Sequence, residues 1–554
     1  MWLSTIRVAF ATIACRGGDE GVTQPAEERD EEHTPEQAAR VPAKVRSSIL
    51  PDRPSDWSSF VADLSRGREH PTFRVHDRTH VELAVDYRLR PGKKTEAFVW
   101  ESFYFAPESL RLHSRTYDKS DIYADLQSYV RFEVPAVDYG KLTEEPLTRV
   151  RDAIATGDEK TAMREMRLFA CMVRAAGVEA RDAISRGIGG DEHERSRALA
   201  LAARMVADTA RIGPRLREAI AGAADRGDSL STAAHWIDED VSRLLETLLG
   251  NLVQRLRKEG APETLIAAAE QGAVAEARYR EGLGLGGVGR IGMKSRRVEE
   301  LEFRRHVLKR FTSSVLWLSP EIRPAAQWVL HFLYALAASV AMGFAVVAAL
   351  WNGTDVDSSS SGVIPWAVVV ILAYAAKDRL KALLQTVFSG VVSRHFPDRQ
   401  WRIRDRERGI ELGAMDEQSG FVAFDEVPPE VLKVRRMTRL HPLEEQARPE
   451  TVMYHRKEVA LNAERVAQAD PRFQTLTEIF RLDLRRWLAH TDDPKREIVF
   501  ADPAEGKVGA AIAPRVYNIG VVYRLRRDDD IDAPWHRVRI VVTRKGIRRI
   551  DCVL

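Results

Sequence analysis

The chain has 554 residues, 30% of them charged, and a mean hydropathy of −0.30, so most of its mass is expected in water-exposed domains. Its 84 basic and 81 acidic side chains leave a formal net charge of +3, which argues against a general polyanion-binding protein. Cys15, Cys171 and Cys552 lie far apart, which argues against a disulfide-stapled fold and a zinc site.

Residues 1–54 are predicted to be a disordered leader, because residues 16–50 are rich in Glu, Arg, Pro and Ala without apolar periodicity. The segment that ends at Cys15 resembles a lipoprotein cleavage box. However, Arg7 interrupts the short apolar stretch before it. We therefore interpret this segment as unstructured and not as a lipid anchor.

Residues 55–142 are predicted to form a small α+β module. His80–Arg90 alternates apolar and polar side chains as a strand does, and Thr95–Phe105 follows as a second strand after a Pro-Gly turn. Ser120 is then placed to cap a short helix.

Residues 143–315 are predicted to be a helical bundle. Its clearest helix is Leu230–Glu259, in which apolar residues such as Ile237, Leu245 and Leu256 fall on one stripe. The glycine-rich segment 282–289 matches the GxGxxG pattern, but a helix and not a strand precedes it. We interpret that segment as a hinge and not as a dinucleotide site.

A transmembrane helical hairpin is predicted at residues 325–377. Ala325–Trp351 carries no formal charge, and the shorter apolar run Val363–Ala376 follows a polar loop. Basic residues flank the hairpin, whereas the loop between the runs has none. By the positive-inside rule, both soluble regions and both termini are expected in the cytoplasm, with the hairpin in a bacterial inner membrane.

Three kinds of side chain have predicted roles in the hairpin. Small residues at four-residue spacing are candidates for close helix packing: Ala337, Ala341, Ala345, Ala349, Ser339 and Gly343. Aromatic and basic residues are candidates for the membrane interface: Trp328, Trp351, Trp366, Lys377, Arg379 and Lys381. His331 is the strongly polar residue of the first run, and we favour a structural role for it over an ion path.

Residues 378–397 are predicted to form an amphipathic helix, and residues 398–554 a C-terminal cytoplasmic α+β domain. Strands are expected at 400–425, Arg515–Arg526, His536–Thr543 and Gly546–Val553, with helices near 455–490. Arg402, Arg404 and Arg406 share one strand face shortly after the predicted span, which favours contact with anionic lipid. Binding to nucleic acid is disfavoured, because acidic and basic residues are nearly balanced in this domain.

The sequence contains no recognisable catalytic, cofactor-binding or metal-binding motif. The acidic run Asp528, Asp529, Asp530 and Asp532 lacks the glycine and the distal glutamate of a calcium loop. No nucleophile, base and orienting group stand together in the sequence. None of the three kinds of site is therefore predicted.

Two segments, FYFAPESLRLHSRTYDKSDIYADLQSYVRFEVP (103–135) and AYAAKDRLKALL (373–384), carry a resemblance to known sequences. Together they resemble a group of bacterial inner-membrane proteins with two membrane helices and no established activity. The resemblance implies a bacterial inner-membrane location and no catalytic residues.

The sequence thus predicts an α+β multidomain membrane protein in which one hairpin joins cytoplasmic regions. The favoured function is a membrane-anchored scaffold or sensor component that binds a protein partner or forms a homo-oligomer, with the lipid bilayer as a further partner. Two alternatives stay open: an enzyme of unrecognised family with its site between the soluble regions, and an oligomeric channel or transporter.

Overall fold

The computed structural model describes residues 72–90, 92–285, 296–324, 327–353, 363–436, 450–530 and 532–553. The predicted leader therefore lies outside the described residues. Within these ranges the chain forms fourteen strands and twelve helices. It divides into two compact units, one containing residues 73–130 and 318–554 and the other residues 131–317.

The first unit is built on two antiparallel sheets. The smaller sheet has the order β1-β2-β9-β4, with strands Thr72–Val75, His80–Arg88, Thr475–Asp483 and Leu126–Phe132. The larger sheet has the order β14-β13-β12-β3-β8-β7-β6-β5, with strands Gly546–Val553, His536–Thr543, Tyr517–Arg527, Thr95–Pro107, Glu450–Asn462, Glu411–Val422, Arg399–Asp405 and Leu318–Pro324.

Strand β3 joins distant parts of the chain. Its Trp100 lies opposite Lys457 of β8 on one side and Leu525 of β12 on the other. Trp100 is fully buried and stacks on Tyr523 of the same sheet and on Phe480 of the smaller sheet, with ring centroids 5.3 Å and 6.0 Å apart. The two sheets therefore pack face to face around an aromatic core, as in a β-sandwich.

Helix α1 (Lys119–Asp125) lies between β3 and β4. Asp118, and not the predicted Ser120, is its N-cap: the Asp118 side chain accepts the backbone N–H of Asp121, whose carboxylate accepts the N–H of Asp118 in return. This reciprocal pair satisfies two donors that the first turn of a helix leaves open.

The second unit is helical. Its helices are α2 (Glu145–Thr156), α3 (Glu159–Gly187), α4 (Glu192–Ile220), α5 (Asp228–Lys258), α6 (Glu263–Gly282) and α7 (Arg296–Ser313). Helix α5 contacts α3, α4, α6 and α7, and α3 contacts α2, α4, α5 and α7, so these two helices lie at the centre of the bundle. The predicted stripe of α5 is buried, including Ile237, Leu245 and Leu256 at 0% exposure.

Three consecutive acidic residues of α5, Asp238, Glu239 and Asp240, are also buried. Successive residues of a helix point about 100° apart, so the three carboxylates face different neighbours. Their arginine partners lie on three different helices: Arg217 Nε of α4 with Asp238 (3.1 Å), Arg304 Nη2 of α7 with Glu239 (2.6 Å), and Arg174 Nη2 of α3 with Asp240 (2.7 Å). Tyr279 OH of α6 also donates to Asp238 at 2.6 Å. The bundle is therefore held by directed ion pairs as well as by apolar contact.

Two further helices, α8 (Gln327–Gly353) and α9 (Val363–His395), contact each other. Among the residues that the structure describes, no helix is both long enough and apolar enough to cross a bilayer. On this finding the predicted transmembrane hairpin at 325–377, the membrane fold class and the inner-membrane location are wrong. A transmembrane span requires about 20 consecutive apolar residues, and none of the described helices meets that requirement.

The residues predicted to lie at the membrane interface belong to α8 and α9. Helix α9 continues through Lys377, Arg379 and Lys381 to His395 as one element, so no separate amphipathic helix begins at residue 378. The ammonium of Lys377 lies over the ring of Tyr374, 3.5 Å from its centroid. Trp351 is 81% exposed. The side chains of Trp328 and Trp366 lie outside the described residues.

The small residues predicted to pack divide into two groups. Ala337 and Ala341 are buried, at 0% and 1% exposure. Ala345 is half-buried, whereas Ser339 and Gly343 are exposed, and the side chain of Ala349 lies outside the described residues.

The last helices belong to the first unit: α10 (Pro429–Arg436), α11 (Ala463–Ala469) and α12 (Arg485–Leu488). Val431 of α10 packs on Phe103 and Phe105, which point from β3 to the face opposite Trp100. The larger sheet therefore has buried apolar side chains on both of its faces near β3.

Candidate functional site

A cluster of charged side chains lies inside the first unit. Lys457, Glu417 and Glu478 are only 1%, 2% and 0% exposed in their side chains. Alternation along β8, β7 and β9 points all three toward the space between the two sheets. We call these three residues the buried ion cluster.

Lys457 is at the centre of the buried ion cluster. Its ammonium forms an ion pair with Glu478, donates to Ser128 Oγ at 3.1 Å and lies 3.8 Å from Glu417 Oε1. Tyr87 OH donates to Glu478 Oε2 at 2.7 Å. Both sheets therefore contribute to the cluster.

Glu417 has its own partners. Its Oε2 accepts the indole N–H of Trp401 at 2.9 Å, and its Oε1 lies 2.9 Å from Nε2 of His455. The other ring nitrogen of His455, Nδ1, is buried without a hydrogen-bond partner among the described residues. The carboxylate is thus held by a donor on each oxygen.

The pKa shifts show how the cluster is stabilised. Burial by itself disfavours the charge of Glu417, but Lys457, His455 and Trp401 outweigh burial and lower the pKa of Glu417 to about 2. Burial likewise disfavours charge on Lys457, and its two glutamate neighbours outweigh that effect and raise its pKa. Both groups are held in their charged forms across the neutral range.

These directions are opposite to those expected of acid–base catalysts. A general base or acid needs a pKa near the working pH, which calls for a raised glutamate or a lowered lysine. The buried ion cluster instead joins the two sheets by charge-assisted hydrogen bonds.

The other predicted or possible reactive groups are also engaged in structural contacts. Burial raises the pKa of the Cys171 thiol to about 12, so it is a poor nucleophile. Asp529 of the acidic run forms ion pairs with Arg90 and Lys93. In the described part of the chain, no three His, Cys, Asp or Glu side chains are placed to hold a metal ion.

The arginines predicted to contact lipid are tied to the larger sheet. Arg402 donates to Glu411 at 3.1 Å, and Arg404 to Glu321 at 3.3 Å. Arg406 donates to Ser319 Oγ at 3.2 Å. Of the glycine-rich segment, the structure describes residues 282–285, where Gly284 has a φ of +73°.

A groove beside α10 has a volume of about 360 Å³ and is lined by Pro429, Leu432, Lys433 and Arg436. This lining contains no carboxylate, and its polar groups are the two cations of Lys433 and Arg436. The groove therefore lacks the convergent acid, base and nucleophile that an enzyme site requires.

The second candidate is an exposed pair of strands, β10 (Lys495–Asp502) and β11 (Lys507–Pro514), which we call the ribbon. The two strands pair only with each other among the described residues, in antiparallel register from Lys495 opposite Pro514 to Asp502 opposite Lys507. The ribbon therefore has a free strand edge on each side.

Large apolar side chains of the ribbon are exposed on both of its faces. On one face lie Val499, Val508 and Ile512, at 67%, 74% and 68% exposure. On the other face lie Ile498 and Phe500, each at 48% exposure. An isolated two-stranded ribbon is marginally stable in water, so an apolar ribbon of this kind is typical of a surface that binds another chain.

Sequence reasoning assigned no strand to residues 495–514 and therefore missed the ribbon. The run Ile498-Val499-Phe500 and the glycine at 506 were the available signals, since apolar β-formers next to a Gly turn predict a hairpin. Gly506 indeed closes the turn with a φ of +65°, which favours glycine.

In comparisons with known proteins, no family model, no curated protein and no solved structure matches this chain. The resemblance to the group of bacterial two-helix proteins stays a prediction.

Proposed function

We propose that this chain is a scaffold that binds another protein chain through the ribbon of β10 and β11. The observation that carries the proposal is the exposure of Val499, Val508 and Ile512 on one face of a ribbon beside which no other described strand lies. Burial of such side chains by a partner is favourable by about 25 cal/mol per Å² of apolar surface.

The contrast with the interior of the same unit supports a binding role over a catalytic one. The polar groups that converge in the interior are held as ion pairs by Lys457 and its neighbours. The enzyme alternative called for a pocket with convergent polar groups and poised carboxylates, and Glu417 is shifted the other way. The channel alternative depended on the transmembrane hairpin and is withdrawn with it.

The test is site-specific photo-cross-linking in cells that make the protein. A photoreactive amino acid replaces Val508, and in the control it replaces Lys94, whose side chain is also 74% exposed. We expect a discrete protein adduct from position 508 and none from position 94. Equal labelling at both positions, or none at either, contradicts the proposal.

A further inference from the structure

We infer that the partner of the ribbon is a second copy of this chain, paired edge to edge through β10 about a two-fold axis. This inference rests on the proposed function and names its partner. It follows from the direction of the backbone groups of β10 and from the order of charges along it.

The backbone of β10 determines which residues face its free edge. Pro494 O accepts the N–H of Arg515 at 2.9 Å, and Asp502 O accepts the N–H of Gly506 at 2.9 Å. In an antiparallel pair, every second residue directs its N–H and C=O toward the partner strand. The backbone N–H and C=O groups of the even-numbered residues of β10 therefore bond to β11. The backbone groups of Glu497, Val499 and Ala501 point toward the free edge.

The two strand edges differ in their suitability for pairing. Strand β10 has no proline, so all its outward N–H groups are available along its length. Strand β11 ends in Pro514, which has no N–H to donate. A free edge of this length without a proline is the kind to which another strand adds.

Two-fold symmetry restricts the register. When a strand pairs antiparallel with its own copy, each residue faces one on the same side of the sheet, so the pairing is centred on a residue. A centre at Val499 places Val499 opposite itself and Ile498 opposite Phe500. It forms about six backbone hydrogen bonds between the outward groups of the two copies.

Charged side chains favour pairing centred at Val499 over pairing centred at Ile498 or Phe500. With Val499 at the centre, Arg496 lies opposite Asp502 of the second copy, and the symmetry produces this pair twice. A centre at Ile498 places Arg496 opposite Phe500, and a centre at Phe500 places Asp502 opposite Ile498. Only the Val499 register among these three joins opposite charges across the interface.

The pairing also explains how a ribbon of two strands persists. Joining two ribbons makes a four-stranded sheet, and a sheet of three or more strands with an apolar face reaches independent stability. The central Val499 pair then lies on the same face as Val508 and Ile512. The assembly is closed, because each copy uses the same edge.

The experiment is sedimentation of the purified full chain and of two matched proline variants. V499P removes the central outward N–H of β10. Ala510 of β11 lies directly opposite Val499, and A510P removes an N–H that points to the other edge of the ribbon. We expect a dimer for the native chain and for A510P, and a monomer for V499P. A dimeric V499P, or loss of the dimer in both variants, overturns the β10 edge as the interface.

A charge swap tests the register independently. R496D places two acidic side chains opposite each other twice in the dimer, and we expect it to weaken the dimer by at least about tenfold. The double variant R496D/D502R restores opposite charges, and we expect it to recover most of the loss. No difference between the single and double variants overturns the Val499 register.

These outcomes can be told apart from failure of the proposed function. A native chain that is monomeric at every concentration, while position 508 still cross-links to a different protein, overturns self-pairing and leaves the scaffold proposal standing. Absence of any adduct at position 508 overturns the scaffold proposal, whereas self-pairing is decided by sedimentation, because β10 lies between Val508 and the second copy.

Discussion

In the first unit, a lysine and two glutamates are sealed between two sheets, while valines and isoleucines of the ribbon are exposed to solvent. Lys457 is 1% exposed in its side chain and Val508 is 74% exposed. The usual distribution of polar and apolar residues is inverted at both places. If the ribbon binds another chain as we propose, the strands that stabilise the unit are separate from the strands that bind the partner, so stability and binding are expected to respond to different substitutions.

The largest effect is expected at Lys457. K457M leaves Glu417 and Glu478 buried next to each other without a cation, and we expect it to lower the free energy of unfolding by about 3–5 kcal/mol. Urea denaturation of the full chain measures the loss. The matched control K94M removes an exposed lysine and is expected to change stability by less than about 0.5 kcal/mol. Equal effects of the two changes contradict a structural role for the cluster.

A smaller loss is expected for E417Q, which keeps the shape of the side chain but removes its charge. We expect a cost of about 2–3 kcal/mol at neutral pH, because bonds to charged groups are lost. The pKa of Glu417 falls from its ordinary 4.5 to about 2, so its contribution is complete above pH 4.5 and is lost as the pH falls toward 2. The difference in free energy of unfolding between the native chain and E417Q should therefore become smaller as the pH falls from 4.5 toward 2. Urea denaturation at a series of acidic pH values measures this. A difference that is constant with pH contradicts the assignment.

A modest gain is expected for D416N on the opposite face of β7. Asp416 lies directly opposite Glu458 of β8, and burial together with that like charge raises the pKa of Asp416. A raised carboxyl pKa costs stability once the pH exceeds the ordinary value of 3.8. We therefore expect D416N to add about 0.5 kcal/mol at neutral pH and nothing well below pH 3.8. Thermal unfolding of the native chain and D416N at neutral pH and well below pH 3.8 measures this gain. Destabilisation by D416N at neutral pH would contradict the prediction.

The smallest effect on stability is expected for V508T in the ribbon. Because Val508 is exposed, its substitution should change the free energy of unfolding by less than about 0.5 kcal/mol. Urea denaturation checks this in the same way as for Lys457. A loss of about 2 kcal/mol or more in the free energy of unfolding is what removal of a buried aliphatic side chain would cost. Such a loss would mean that the ribbon is part of the core, and the contrast between the ribbon and the buried ion cluster would not hold.

Several elements were predictable because their local pattern agrees with their final environment. The alternation of His80–Arg90 predicted β2, which spans His80–Arg88, and His536–Thr543 is β13 with the predicted bounds. The apolar stripe predicted α5 within two residues at its start. In each case burial follows apolar character.

The prediction of helices near 455–490 was correct only in part, because the short helices α11 and α12 lie there but the end of β8 and all of β9 lie there as well. Strand β8 has His455 and Lys457 at buried positions, so its alternation of buried and exposed residues is hidden in the sequence. The same residues make up part of the polar interior, which is why the cluster was not foreseen. Its members become neighbours only through pairing of β8 with β7 and across to β9.

The transmembrane prediction used two apolar runs and their flanking basic residues, and no described helix supports it. Pairing of β3 with β8 and β12 was equally unreadable, because it joins residues hundreds of positions apart. The ribbon was missed although its signals were local, and its role depends on what lies beside it in space.

Asp238, Glu239 and Asp240 occupy successive positions of α5, and each forms an ion pair with an arginine of a different neighbouring helix. Inserting a single residue in the first turns of α5 would turn all three by about 100° relative to the preceding part of the helix. Asp238 and Asp240 would then lose their arginines, and Glu239 would keep only Arg243 of α5 itself. We therefore expect related sequences to vary at the exposed positions of α5. We expect them to keep the same number of residues between the start of α5 and Asp240.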